Sequence, residues 1–141
     1  MDTQEGYNGD TRQSHVWLVN TLSGEKRELT PSLYEFKDMP LVYQAWSSED
    51  QKKNLLDWKT RVEKTFRTIS NKEIISETLN MLMENPMEER CYLNCLAFTT
   101  LHPDRANYKM VCGALGYRLP SGEVHWEYGN VREQVRCNAQ R

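Results

Sequence analysis

Polar side chains follow one another through the first fourteen residues with no apolar rhythm, and two glycines fall among Asp, Asn, Gln and Thr. Such a stretch buries too little to order itself. Residues 1–14 are therefore expected to form a flexible N-terminal arm, and residues 15–141 a single globular domain. From His15 the pattern changes: Val16-Trp17-Leu18-Val19 is β-branched and aromatic, Ser23-Gly24 can turn the chain, and Lys26-Arg27-Glu28-Leu29 returns before Thr30-Pro31. This predicts a first β-hairpin. Residues 31–46 alternate apolar and polar positions up to Pro40 and then run apolar, which fits a short strand or a turn.

A helical period takes over after Ser47. Ser47 and Ser48 precede Glu49 and Asp50, offering an oxygen acceptor to unpaired N–H groups and negative charge to the positive end of a helix. Leu55, Trp58, Val62, Phe66 and Ile69 recur at steps of three or four, so the spacing predicts an amphipathic helix over 48–69 with these five inward. Ser70-Asn71-Lys72-Glu73 reads as a capping box that opens a second helix, with Ile74, Ile75, Thr78, Leu79 and Leu82 towards the core. Asn85-Pro86 closes it and supplies the cap and first turn of a third helix, with Met87, Cys91, Cys95 and Phe98 inward. Gly113 and Gly116 disfavour a helix over 108–119, whereas Leu119-Pro120-Ser121-Gly122 followed by alternating Val124, Trp126 and Tyr128 predicts a second hairpin. The expected fold class is α+β: an N-terminal β-hairpin, three central helices and a C-terminal β-hairpin. The hairpins can join in one antiparallel sheet on which the helices pack.

Charge narrows the choice of partner. Eighteen Lys and Arg against twenty Asp and Glu leave a net of −2, whereas a dedicated nucleic-acid module carries a basic excess. Any polyanion contact must come from a local patch. No apolar run reaches the roughly 18 residues of a membrane helix, and Met1-Asp2-Thr3-Gln4-Glu5 lacks the build of a signal peptide, so a cytoplasmic or nuclear protein with no membrane span is expected. Cys91, Cys95, Cys112 and Cys137 are too few for a disulfide scaffold and read as reduced thiols.

Little in the sequence points to chemistry. Cys91, Cys95, His102 and Cys112 lie close together, but Cys91 and Cys95 are four apart on a helix with no second pair, unlike a zinc knuckle. No metal or cofactor is expected. Nothing links His15, His102 or His125 to a nucleophile, and no Gly-x-Ser-x-Gly, Walker or His-Glu-x-x-His motif occurs. No catalytic residue is assigned, and the chain is expected to be non-catalytic. The tripeptide His102-Pro103-Asp104, between Leu101 and Arg105, resembles the signature loop of J-domain co-chaperones, which joins two antiparallel helices. Gly113 interrupts the span where the second of those helices would stand, so co-chaperone function is not carried over.

Two binding functions remain. Four Trp, seven Tyr and six Met are generous for 141 residues, and such side chains are enriched where proteins meet. Met81 and Met83, beside the inward stripe of the second helix, and Trp126 and Tyr128, on a hairpin with an open edge, are the candidate partner-binding residues. They suit a homo-oligomer with a protein partner, an assembly or regulatory role compatible with a viral structural or accessory protein. The alternative is an RNA-binding or ribonucleoprotein-associated protein using Lys52, Lys53, Lys59, Lys64 and Arg67 of the 48–69 helix with Arg132 and Arg136 of the tail. Charges of mixed sign on a helix are more often simply a solvated face.

Overall fold

A computed structural model describes residues 12–31 and 38–127. Strands β1 (His15–Asn20), β2 (Lys26–Arg27) and β3 (Leu41–Ala45) precede helices α1 (Ser48–Ile69), α2 (Lys72–Glu84) and α3 (Cys91–Leu101). A single 3-10 turn (Arg105–Asn107) then leads into β4 (Tyr108–Arg118) and β5 (Val124–Trp126). The two hairpins do join: the strands form one antiparallel sheet in the order β2-β1-β4-β3, with β5 also paired to β4. β4 is the spine. Its first half pairs with β1, from Asn20↔Tyr108 to His15↔Gly113, and its second half with β3, from Ala45↔Gly113 to Leu41↔Tyr117. β5 lies against Gly116, Tyr117 and Arg118.

Local chemistry explains most of the boundaries. The β1–β2 turn forms because Asn20 Oδ1 accepts from the N–H groups of Leu22 (2.9 Å) and Ser23 (3.0 Å), while Gly24 takes a φ of 77° that a side chain would resist. Ser47 Oγ accepts from the Asp50 N–H at 3.1 Å and starts α1 where the sequence predicts. Ser70, expected as the next cap, instead ends α1 in a left-handed conformation (φ 47°), and Asn71 caps α2 by accepting from Glu73 and Ile74. Asparagine reaches two N–H groups with one carbonyl oxygen, so the cap falls one residue later.

Three expectations about the helices change. Of the five α1 residues predicted inward, only Val62 is buried; Leu55, Trp58 and Phe66 are half-buried and Ile69 is exposed, while Asn54 takes a buried place. On α2, Leu79 and Leu82 are buried, but Ile74 and Thr78 are exposed. A helical period gives the direction of a side chain but not whether a neighbour reaches it. The third helix starts at Cys91 rather than near Pro86. The buried Asn94 side chain accepts from the Met87 N–H (3.1 Å) and donates to the Met87 carbonyl (2.8 Å) and Thr30 Oγ1 (2.9 Å). It holds the backbone of Met87 in a loop, and Met87 itself is exposed.

The core lies between the sheet and the helices. Val16, Leu18 and Cys112 on one face meet Val62, Cys91, Tyr92, Cys95 and Phe98, and a second cluster of Leu79, Leu82 and Ala97 joins α2 to α3. Strand alternation sends Trp17, Val111, Leu115 and Tyr117 to the opposite face, where they too are buried. Residues 1–11 of the expected arm lie outside the described residues. Residues 12–14 are tied to the sheet: the Gln13 N–H bonds Glu127 O at 2.9 Å, Ser14 donates to buried Asn54, and the Arg12 guanidinium sits 4.5 Å from the Trp126 ring. His102-Pro103-Asp104 connects a helix to a strand, unlike the co-chaperone loop. Among the described residues, no helix is long and apolar enough to cross a membrane.

Candidate functional site

The sequence-predicted residues fall into two groups. Met81 is 68% exposed on α2, whereas Met83 is half-buried against Leu79, Leu82 and Ala97, so the two methionines flank opposite sides of the helix's buried stripe. Trp126 is half-buried on β5 beneath Arg12; Tyr128, Arg132 and Arg136 lie outside the described residues. Lys52, Lys53, Lys59, Lys64 and Arg67 are all exposed along α1, yet Glu49, Asp57 and Glu63 are exposed among them. The structure thus keeps the α2 and β5 candidates apart and strings the basic ones along one helix.

Periodicity did not reveal two further apolar positions. Leu56, in the middle of the basic face of α1, is 62% exposed, and Ile74, seven residues before Met81 on α2, is 49% exposed. Ile74 and Met81 share one side of α2, flanked by exposed Glu73, Glu77 and Glu84. Pattern alone could have flagged Leu56, which stands among Lys52, Lys53 and Lys59 where a polar residue belongs.

A groove of about 270 Å³ opens between α1 and the start of α3. Trp58, Phe66, Tyr92 and Leu93 supply apolar lining, and Arg61, Arg90 and Cys91 line it as well. Trp58 and Tyr92 stack with centroids 5.7 Å apart, and the Arg61 guanidinium lies 5.1 Å from the indole. Burial first, and then Glu63, push the Tyr92 phenol upwards.

A polar cluster sits where β1 begins. His15 Nε2 is 2.8 Å from Glu28 Oε1, the Tyr43 hydroxyl donates to the same oxygen at 3.1 Å, and the Thr30 N–H donates to Glu28 Oε2 at 3.0 Å. Burial by itself would make His15 more acidic, but the Glu28 carboxylate, with a smaller influence from Cys91, outweighs it and holds the imidazole well above 6.5. Burial and Glu28 raise the Tyr43 phenol strongly. Nearby, Tyr117 donates to buried Glu127 at 2.6 Å, and burial pushes the Glu127 carboxyl upwards. Nothing in the sequence indicates that His15, Glu28 and Tyr43 meet, because they come from three separate segments of the chain. No protein-family model, curated protein or solved structure matches this chain.

Proposed function

We propose that this chain is a self-associating interaction protein in which the basic face of α1 on one copy docks on the acidic side of α2 on the next. The observation behind this reading is the complementarity of two uncovered faces. α1 carries six basic and four acidic residues around exposed Leu56, and α2 carries one lysine and three glutamates around exposed Ile74 and Met81. Burying a large apolar side chain contributes about 1.5–3 kcal/mol, while an exposed ion pair contributes about 0–1 kcal/mol. Leu56, Ile74 and Met81 would therefore supply most of the affinity, and the charges the orientation. Because two different faces meet, the contact is heterologous and gives a ring or an open assembly rather than an isolated twofold dimer. Such a chain suits an assembly or structural role, including that of a viral structural or accessory protein, in the cytoplasm or nucleus.

Sedimentation of the intact chain tests this. One variant, Leu56→Asp with Lys59→Glu, breaks the α1 face; the other, Ile74→Asp with Met81→Asp, breaks the α2 face. The unaltered chain is expected to sediment as an oligomer that shrinks as salt rises. Each variant alone should be monomeric, and an equimolar mixture should form a one-to-one dimer through the single intact interface. A strictly monomeric parent chain, or a mixture that stays monomeric, counts against the proposal. Assembly that disappears on nuclease treatment would place RNA between the copies and replace this reading with the nucleic-acid one.

A further inference from the structure

We infer that the groove between α1 and the start of α3 binds an amphipathic carboxylate, a single anionic head on an apolar body, with about ten non-hydrogen atoms in all. This goes beyond self-association and does not depend on it. Arg61 lines the groove, whereas Leu56, five residues earlier on α1, points about 140° away around the helix. Self-association through Leu56 uses a different side of α1.

The lining is rich in hydrogen-bond donors and poor in acceptors. Arg61 and Arg90 are both exposed, and among the described residues neither makes an ion pair. The Arg61 guanidinium lies 5.1 Å from the centre of the Trp58 ring, a cation–π contact that consumes none of its five N–H donors. Arg90 gives one N–H to the Glu89 main-chain carbonyl at 3.1 Å, not to a carboxylate. A ligand carboxylate, which only accepts, matches such guanidinium forks and can bond one of them through both oxygens. Glu89 is the single carboxylate among the described lining residues, so two positive charges meet one negative and an anionic head balances the site.

The rest of the lining decides what the head is attached to. Val62, Phe66 and Leu93 offer only carbon, and Trp58 and Tyr92 are stacked on one another at 5.7 Å. The Thr65 hydroxyl is already donated to the Arg61 carbonyl at 3.0 Å. Sugars and nucleobases need several paired polar edges that such walls do not supply, and a bare inorganic anion would forgo the apolar contact altogether. An apolar body gains from both. The volume of about 270 Å³ equals that of about nine waters, close to the roughly ten non-hydrogen atoms of an eight-carbon acid.

Calorimetric titration of the intact chain with sodium octanoate at neutral pH tests this, with octanamide as the uncharged molecule of the same shape. Octanoate should bind one to one with a Kd of about 1 mM or tighter, and octanamide about fivefold more weakly or worse. Nuclear Overhauser contacts from the octanoate methylenes should reach Trp58 and Leu93. Arg61→Gln and Arg90→Gln, both at exposed positions, should each weaken octanoate by about fivefold and leave octanamide unchanged, and Arg61→Lys should lose less than Arg61→Gln. Glu89→Gln should act in the opposite direction and tighten octanoate, because it removes the negative charge of the lining; a misfolded variant would not bind better. Equal binding of acid and amide, octanoate binding that both arginine variants leave unchanged, contacts confined to other parts of the chain, or no binding up to about 10 mM would overturn the inference.

Discussion

A chain carrying Gly113→Ala is expected to lose about 3 kcal/mol of stability or more, read as a lower urea midpoint. Intrinsic preference predicts the opposite sign, since glycine in a strand interior is weaker than alanine by roughly 0.5–1 kcal/mol. Gly113 is the one residue of β4 paired with both β1 and β3, opposite His15 on one side and Ala45 on the other. A β-carbon there would fall on the Gln44 carbonyl oxygen and come 2.7 Å from the Ala45 α-carbon. Both are backbone atoms, so no rotamer change relieves the clash and β3 must move. Gly116→Ala makes the control. Its closest clashes are with the Val124 and Trp126 side chains, at 2.6 and 2.8 Å, which can turn aside, and the loss should be smaller. A neutral Gly113→Ala would disprove the register of β3 on β4.

Glu28→Ala should cost about 3 kcal/mol at neutral pH, because removing one partner of a buried pair leaves the other charged group uncompensated. His15 would lose its carboxylate, and the Tyr43 hydroxyl and Thr30 N–H would lose an acceptor. The same pair sets a pH dependence. The folded chain binds the His15 proton more tightly than the unfolded chain, so this stabilisation is complete below about pH 6.5 and fades as pH rises through the raised folded value. Glu127 acts with the same sign, complete below its ordinary value of 4.5 and lost as pH rises, because burial favours its protonated form. Urea midpoints of the parent chain should therefore decline from pH 6.5 upwards. Glu28→Ala should flatten that decline, and an unchanged slope would show that the pair does not hold the proton.

The elements themselves were legible from the sequence, because each is announced locally: a serine before two acids at α1, Asn71 before α2, a β-branched run at β1. Where prediction slipped, a distant residue decided the outcome. Asn94 holds Met87 through a side chain seven residues away and delays α3, and no local pattern encodes that bond. Depth of burial was also hidden, since Ile69, Ile74 and Thr78 keep the right helical spacing but remain exposed. The polar cluster was the least visible. Its members, His15, Glu28 and Tyr43, come from three separate segments, and only the folded sheet draws them together.

The position of β4 has a consequence for how the chain acquires its structure. Both β1 and β3 bond to a strand that is synthesised only after all three helices, and until then, among the described residues, β1 has as sheet partner only the two residues of β2. Loops of this length must close before any ladder contact rewards them, which makes folding slow and leaves two apolar strands unsatisfied on the nascent chain. Helices can form early on the ribosome, but the sheet must wait for release of β4, and a chaperone that shields bare strand edges would find its substrate in that interval.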